Sequence, residues 1–261
     1  MRYILILITL FLAKVYSASI PDACPTNSPL SCSSSGGTSN TCCYESPAGV
    51  IELTQFWDYD PSTGPSDVFT IHGLWNMYCT GTSYPESCDS SLNIDSSGST
   101  LQDIIVNQFN DKTLYDNLSK YWKNINSNDQ LLWAHEWNKH GTCFSTIKPS
   151  CYTSFTTNEN VYDFVKILYN LWATVPTYKW LAAAGITPSN TATYTSAQIQ
   201  SALKGKFGKN VYFKCDSNNA INEVYYYYHV KGSLLGQSFV AMDAISSTNC
   251  PSTGIKFPPK S

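Results

Sequence analysis

The stretch from residue 133 to residue 143 reads WAHEWNKHGTC, and a shorter stretch from residue 69 to residue 75 reads FTIHGLW. Three of the four histidines in the chain lie in these two stretches: His72, His135 and His140. On a helix with 100° per residue, the polar groups of the longer stretch share an arc of roughly 140°: His135, Glu136, Lys139 and His140. The pattern therefore predicts two imidazoles, a carboxylate and an ammonium on one helix face, with His72 delivered opposite them from a strand end.

These groups suit transesterification at a phosphate. One imidazole can remove the proton from a ribose 2′-hydroxyl while a second gives a proton to the departing 5′-oxygen, and both tasks need a pKa near the working pH. A cation such as Lys139 stabilises charge on the phosphoryl oxygens. The pattern predicts RNA cleavage without a cofactor, and DNA is excluded as a substrate because it has no 2′-hydroxyl.

Two other interpretations of the longer stretch are weaker. It is similar to the zinc motif His-Glu-x-x-His, but its second histidine comes one position late, and ligands at i and i+5 are expected to diverge on a helix. No metal is therefore expected. An ordinary solvated helix face with a Glu136–Lys139 ion pair is the other interpretation. Nearby tryptophans argue against it: Trp122, Trp133 and Trp137. The fourth histidine, His229, follows four tyrosines in a β-prone run and is interpreted as structural.

Residues 1–17 have the pattern of a secretory signal, with Arg2 before an apolar run that is too short to span a bilayer. Cleavage before Ala18 would leave residues 18–261 as one domain, and no membrane anchor is expected. All ten cysteines follow the signal, and an even number in an exported chain indicates disulfide bonds. Residues 117–119 form the only glycosylation sequon, on Asn117.

The charge of the chain limits the kinds of partner that it can hold tightly. The formal net charge is −3, and Arg2 is the only arginine, so every cation of the mature chain is a lysine. Because arginine is preferred for bidentate phosphate contacts, neither a tight sequence-reading complex nor a stable complex with DNA is expected. A catalyst that holds single-stranded RNA briefly remains compatible with this composition, and a monomer is the default expectation.

Periodicity along the chain predicts an α+β domain. Strand-like runs are expected at residues 50–57, 68–74, 210–214, 220–230 and 237–244. Helix-like spacing is expected at residues 101–122, 130–140, 161–172 and 196–203. Strands and helices in separate runs favour a central antiparallel sheet flanked by several helices.

Taken together, FTIHGLW and WAHEWNKHGTC resemble the two active-site segments of the ribonuclease T2 family, which includes fungal acid ribonucleases and plant S-ribonucleases. The resemblance covers essentially the whole mature chain. It implies catalytic positions for His72, Glu136 and His140, with His140 as the base toward the 2′-hydroxyl and His72 as the acid toward the 5′-oxygen. It further implies that Lys139 and Glu136 support the transition state, that His135 binds phosphate, and that a 2′,3′-cyclic phosphate precedes a 3′-phosphate.

The cysteine spacing resembles the fungal branch of this family. That resemblance implies five pairs: Cys24–Cys43, Cys32–Cys79, Cys42–Cys151, Cys88–Cys143 and Cys215–Cys250. Because Cys42 and Cys43 are adjacent, their partners could exchange.

One departure from the family concerns base recognition. Members usually carry Pro after the Trp of the first segment, and some fungal members then place an Asp that reads adenine, whereas this chain has Asn76 and Met77. Met77 can pack against a base but does not accept its amino hydrogens as a carboxylate does. Low base specificity is therefore expected, with base contacts assigned to Trp75, Tyr78, Tyr84 and Gln55.

The leading hypothesis is a secreted endoribonuclease with an acidic optimum, and a lysosomal or vacuolar destination is left open. The alternative is a non-catalytic secreted glycoprotein on the same fold, used for recognition or storage. The presence of both motif histidines favours catalysis.

Overall fold

The computed structural model describes residues 24–33 and 40–260. The predicted signal, residues 1–17, lies outside the described residues. Five antiparallel strands form the main sheet: β1 Ala48–Phe56, β2 Thr70–Tyr78, β4 Tyr212–Cys215, β5 Ile221–Val230 and β6 Phe239–Met242. Their order is β2-β1-β5-β4, with β6 also paired to β5. A small second sheet joins β3 Thr193–Tyr194 and β7 Ile255–Lys256. The predicted α+β class with a central antiparallel sheet is confirmed.

The two faces of the main sheet have different surroundings, and the four consecutive tyrosines of β5 follow this division. Successive side chains of a strand point to opposite faces. Tyr226 and Tyr228 accordingly belong to the large core beneath the helices, whereas Tyr225 and Tyr227 pack with Val50 and Met77 in a smaller cluster on the other face. Alternation thus explains these tyrosines, as the sequence indicated.

Six α-helices accompany the sheet in the described part of the chain: α1 Thr100–Gln102, α2 Lys112–Tyr121, α3 Asp129–Lys139, α4 Glu159–Ala173, α5 Thr177–Ala183 and α6 Ser196–Phe207. The expectation of a single helix over residues 101–122 is wrong. A π-helical segment, Asp103–Gln108, follows α1, and Asn110 has a positive φ of 55°. Asp111 then caps α2 by accepting a hydrogen bond from the Leu114 amide. The short helix α5, directly after Pro176, was not predicted.

All five expected disulfides are present: Cys24–Cys43, Cys32–Cys79, Cys42–Cys151, Cys88–Cys143 and Cys215–Cys250. Cys42 and Cys43 therefore keep the partners that the resemblance implied. Two of the bridges hold the ends of one surface loop, because Cys79 and Cys88 mark its first and last residues. The chain between these two cysteines is thereby fixed to the rest of the fold at both ends.

A buried carboxylate, Glu45, connects the segment after α3 to the strands. It is 1% exposed and accepts hydrogen bonds from the amides and hydroxyls of Ser145 and Thr146. The side-chain amide of Asn76, on β2, donates a further hydrogen bond of 3.0 Å. Burial nevertheless raises the pKa of Glu45, with these hydrogen bonds opposing the rise. The five donors explain how the group is accommodated in the interior.

We expect Glu45→Ala to lower the free energy of unfolding by about 3 kcal/mol or more, because it leaves several buried donors without an acceptor. Chemical denaturation with intact disulfides measures the change. Asp116→Asn is the matched control, since Asp116 forms only an exposed ion pair with Lys112, and it should cost no more than about 0.5 kcal/mol. Equal effects of the two substitutions would contradict the anchoring role of Glu45.

Candidate active site

The position of His72 depends on a β-bulge in the first motif. Thr54 of β1 pairs with Gly73 and the next residue, Gln55, pairs with Ile71, so His72 is the extra residue of the pairing. The Thr54 hydroxyl holds the bulge by accepting a 3.0 Å hydrogen bond from the Gly73 amide. A bulge redirects a side chain that regular alternation would place on the other face. His72 consequently lies on the same side of the sheet as Trp75.

The second motif reaches the same place from α3. Asn128 caps the start of this helix, and its last turn ends at His140, whose amide still bonds to the Glu136 carbonyl at 3.1 Å. Trp133 and Trp137 of α3, next to Glu136 and His140 on the helix surface, are buried in the main core. Packing of these two rings turns Glu136 and His140 toward β2, so the helix face is not an ordinary solvated one.

Trp75 contacts both His72 and His140. Its indole N–H donates to Glu136 Oε2 at 2.7 Å. Its ring stacks against His140, with centroids 5.0 Å apart, and meets His72 edge-on at 4.8 Å. His72 Nε2 is 3.8 Å from Glu136 Oε1. The structure therefore brings His72, Glu136 and His140 into one cluster.

The remaining polar groups of the helix lie at the rim of this cluster. His135 is exposed, and its ring centroid is 6.3 Å from that of His140. Lys139 is 35% exposed and forms a 3.2 Å ion pair with Glu86. Sequence reasoning did not foresee Glu86, whose loop reaches α3 because Cys88 is bonded to Cys143. Since that ion pair is exposed, Lys139 is free to exchange Glu86 for another anion.

One geometric expectation about the helix is wrong. Among the described residues, the ligand atoms of His135, Glu136 and His140 all lie within 4.8 Å of one another, so the i and i+5 positions do not diverge. The physical reason is that α3 ends at Lys139, which lets the ring of His140 turn back toward the helix. The Glu136 carboxylate in this group is already hydrogen-bonded to Trp75.

His72 has a further carboxylate partner on β5. Its Nδ1 lies 3.1 Å from Glu223 Oε1, while Glu223 Oε2 accepts hydrogen bonds from Lys214 and Tyr225. Burial alone would raise the pKa of Glu223, but the hydrogen bonds from His72, Tyr225 and Lys214 outweigh it and lower the pKa to about 2. An ionised Glu223 accepts an N–H from Nδ1 and leaves Nε2 facing the cluster.

The electrostatic surroundings of the helix groups differ from those of His72. Burial lowers the pKa of His140 to about 3, and the positive charge of Lys139 acts in the same direction. Desolvation and then Lys139 also lower the pKa of His135. Burial raises the pKa of Glu136, which is 1% exposed, against the opposing effects of His72 and Trp75. At ordinary pH His140 is thus an uncharged imidazole able to accept a proton.

The four residues assigned to base contacts separate into two groups. Trp75 is half-buried within the cluster, and the ring of Tyr84 meets it edge-on at 5.5 Å. The assignment of Gln55 is wrong, because it is fully buried and its amide is held by Val175 and Thr177. Tyr78 is also misplaced, since alternation along β2 puts it on the face opposite Trp75.

Besides Glu86, three residues near the cluster were missed from the sequence. Phe56, the neighbour of Gln55, stacks on His72 with centroids 3.8 Å apart. Glu223 and Glu52 share a signal that could have revealed them, namely a single acid inside an otherwise apolar strand, where an unpaired charge is costly. Glu52 is fully buried on β1 and accepts a 2.9 Å hydrogen bond from Tyr84. Its Oε1 has no hydrogen-bond partner in the described part of the chain.

Asn117 and His229 lie away from the cluster. Asn117 is half-buried on α2, and its glycosylation stays a prediction. His229 is on β5 opposite Val50 of β1, where burial lowers the pKa of its imidazole.

A family model described as the ribonuclease T2 family matches residues 39–250 of the chain. The chain belongs to the ribonuclease T2 family. A relative from Candida albicans, ribonuclease T2-like 1-A, is 59% identical over 260 residues, covering 100% of this chain and 65% of that protein. Ribonuclease M of Aspergillus phoenicis is 44% identical over 92% of this chain and 98% of its own length.

Solved structures agree with this T2 fold. The crystal structure of Actibind, described as a T2 ribonuclease, superposes with a TM-score of 0.85 at 42% identity, covering 92% of this chain and 99% of that one. RNase NT in complex with 5′-AMP shares the fold with a TM-score of 0.58 at 22% identity, over 81% of this chain and 98% of that one.

The length of the chain differs from that of several relatives. It spans 65% of the Candida albicans protein and 58% of a ribonuclease T2-like protein from Debaryomyces hansenii. The activity of this chain is therefore argued below from its own site.

We expect Gly73→Ala to reduce cleavage of RNA by roughly 100-fold, the scale of a misplacement of about 1 Å at a catalytic group. A Cβ at this position would overlap the Glu136 carboxylate and lie 2.7 Å from the Trp75 indole nitrogen. Gly205→Ala is the control, because nothing lies within 4 Å of its added Cβ. Initial rates, with circular dichroism to verify folding, measure the effect. A fully active Gly73→Ala would contradict the close packing of β2 on Glu136.

A second prediction concerns stability and pH. Burial raises the pKa of Glu52 from 4.5 to about 8, so the folded chain keeps a proton that the unfolded chain releases in this interval. The stability contribution of Glu52 is complete below pH 4.5 and is lost as the pH rises toward 8. Across this pH interval, the free energy of unfolding of the native protein should fall by at least about 1.4 kcal/mol relative to that of Glu52→Gln, which is equivalent to one pKa unit.

Denaturation of the native protein, Glu52→Gln and the exposed control Glu86→Gln at several pH values measures this loss. If the free energies of unfolding of the native protein and Glu52→Gln differ by the same amount at every pH, Glu52 does not titrate in this way.

Proposed function

We propose that this protein is a secreted endoribonuclease that cleaves single-stranded RNA by transesterification. The 2′-hydroxyl of the RNA itself is the nucleophile. The observation that carries the proposal is the packing of two imidazoles, His72 and His140, against the ring of Trp75 beside the carboxylate of Glu136. Membership of the ribonuclease T2 family supports the same reaction.

His140 acts as the general base. Burial keeps its pKa near 3, so its imidazole is uncharged over the working range and can take the proton of the ribose 2′-hydroxyl. The resulting 2′-oxygen attacks the adjacent phosphorus. A new 2′-oxygen–phosphorus bond forms while the bond to the 5′-oxygen of the next nucleotide breaks, giving a 2′,3′-cyclic phosphate.

His72 acts as the general acid toward the departing 5′-oxygen. Glu223 holds Nδ1 at 3.1 Å, and this contact fixes the ring so that a proton on Nε2 faces the cluster. The ionised carboxylate of Glu223 also compensates a positive imidazolium. In the second step the roles exchange: His72 takes a proton from water, and His140 returns one to the 2′-oxygen as the cyclic phosphate opens to a 3′-phosphate.

Lys139 and His135 bind the phosphoryl oxygens. Lys139 exchanges the exposed carboxylate of Glu86 for the scissile phosphate, and stabilises the additional negative charge that develops on the phosphoryl oxygens in the transition state. Glu136 supports the transition state through its contacts with His72 and Trp75. Trp75 and Tyr84 offer ring surface to the base beside the scissile phosphate, and their hydrogen-bonding groups are already engaged by Glu136 and Glu52, which supports low base specificity.

Export from the cell is part of the proposal. Five disulfides are typical of proteins that mature in an oxidising compartment. Within the described residues, no helix combines the length and the apolar character needed to cross a bilayer. We propose a monomer that is glycosylated at Asn117 and functions outside the cell or in an acidic organelle.

The proposal is tested by incubating the native protein with yeast RNA in EDTA and analysing the product ends. We expect 2′,3′-cyclic phosphates followed by 3′-phosphates, with DNA left intact. His72→Ala and His140→Ala should each lose at least about 100-fold in rate, the scale of acid–base catalysis. His229→Ala is the matched control and should retain activity.

The rate should be highest at mildly acidic pH, because burial keeps His140 uncharged there and a two-imidazole mechanism needs a protonated acid as well as a neutral base. Chelator-sensitive cleavage would favour a metal hydrolase, and a folded native protein without any cleavage would favour a non-catalytic glycoprotein. A near-normal rate in either histidine variant would overturn the assigned roles.

A further inference from the structure

A cavity of about 210 Å³ opens beside the residues that lead into β2. Besides the buried Phe69, four aromatic side chains contribute to its lining: Tyr121, Tyr169, Trp172 and Tyr178. Each of them is only half-buried, so the cavity presents ring surface to solvent. We call this cavity the aromatic pocket. None of the groups assigned to catalysis above lines it.

A hydrogen bond and contacts between neighbouring rings fix the rings of the aromatic pocket. The Trp172 indole N–H donates to the Phe69 carbonyl at 3.0 Å. The ring of Tyr121 lies 4.9 Å from that of Trp172, and the ring of Tyr169 lies 5.8 Å from it, at interplanar angles of 37° and 34°. Fixed, half-exposed rings of this kind are the surfaces on which single-stranded nucleic acids stack their bases.

The polar groups of the pocket match a nucleotide better than an apolar ligand. Lys179 is exposed at the lining, and Lys120 Nζ lies 5.0 Å from the centroid of the Tyr121 ring, so two ammonium groups are available for a phosphate. The exposed carboxylate of Asp67, also at the lining, can accept a hydrogen bond from a base N–H. An apolar peptide or an acyl chain would leave these charges unpaired.

The pocket is joined to the catalytic cluster through the chain that leads into β2. Phe69 precedes His72 by three residues, a distance of roughly 10 Å along an extended chain. Trp122 directly follows Tyr121, and its indole N–H donates to the His72 carbonyl at 2.8 Å. An RNA strand with its scissile phosphate at His72 can therefore extend its next nucleotides toward the pocket.

We propose that the aromatic pocket binds a further nucleotide of the same RNA strand, outside the two nucleotides joined by the scissile phosphate. This proposal rests on the proposed function. It assigns to Tyr121, Tyr169 and Trp172 the stacking of a base, and to Lys179 and Lys120 the pairing with its phosphate. The pocket makes the enzyme favour longer substrates without taking part in the chemistry.

The test compares kcat/KM for a dinucleotide with kcat/KM for tetranucleotides extended on the 5′ or on the 3′ side. The native protein should prefer one of the extended substrates over the dinucleotide. Tyr121→Leu and Tyr169→Leu should each reduce that preference by about 5-fold or more, the scale of stacking one base on one ring. Both variants should cleave the dinucleotide at the native rate.

Two kinds of control variant distinguish the loss of base stacking from a general loss of structure. Tyr121→Phe and Tyr169→Phe keep the ring and should keep the preference for longer substrates. Tyr115→Leu changes a tyrosine on the same helix whose ring meets Trp133 instead of the pocket, and it should also keep the preference.

The outcomes distinguish this proposal from the proposed function. A native protein that cleaves the dinucleotide but shows no gain with length, or a gain that survives both Leu substitutions, would overturn the pocket alone. A native protein that cleaves neither substrate would overturn the function itself. Because Asn117 lies one helical turn before Tyr121, the series is repeated with Asn117→Gln. A length preference that depends on Asn117 and not on Tyr121 would assign the pocket to a glycan instead.

Discussion

The arrangement of the site depends on the hydrogen bond from the Trp75 indole to the Glu136 carboxylate. β2 is an edge strand of the main sheet, and α3 is attached to the core through Trp133 and Trp137. A carboxylate that is 1% exposed needs a donor, since burying it unpaired would cost several kcal/mol. Trp75 supplies that donor, and its ring is thereby fixed as the surface against which both imidazoles pack.

Two identical side chains acquire different chemical properties in this frame. His72 lies between the carboxylates of Glu136 and Glu223, which are 3.8 and 3.1 Å from its two ring nitrogens. His140 has Lys139 nearby and is buried, so the same imidazole group is kept neutral there. The difference arises from placement alone, since one ring comes from a bulged strand and the other from a helix end. Environments that separate the protonation states of paired groups are what acid–base catalysis requires.

The helix half of the site could be predicted from the sequence because a period of 3.6 residues fixes which side chains share a face. His72 was also expected opposite this helix, but the strand residues around it could not be predicted, because a bulge is invisible to the alternation on which strand predictions rely. The Gln55 assignment shows this limitation: the neighbouring residue, Phe56, faces His72, and Gln55 points into the core. Glu223 was missed for a related reason, since its approach to His72 depends on the order of strands that are distant in sequence.

Covalent bonds fix the ends of the loop from Cys79 to Cys88, which carries Tyr84 and Glu86. Neither the bulge at His72 nor the packing of α3 depends on the residues between those cysteines. Substitutions there can alter which bases are accepted, or how readily Lys139 is released, while the reacting groups keep their positions. Substrate preference and catalytic activity are therefore separable properties in this fold. Proteins with this fold can diverge in substrate preference while they keep their catalytic activity.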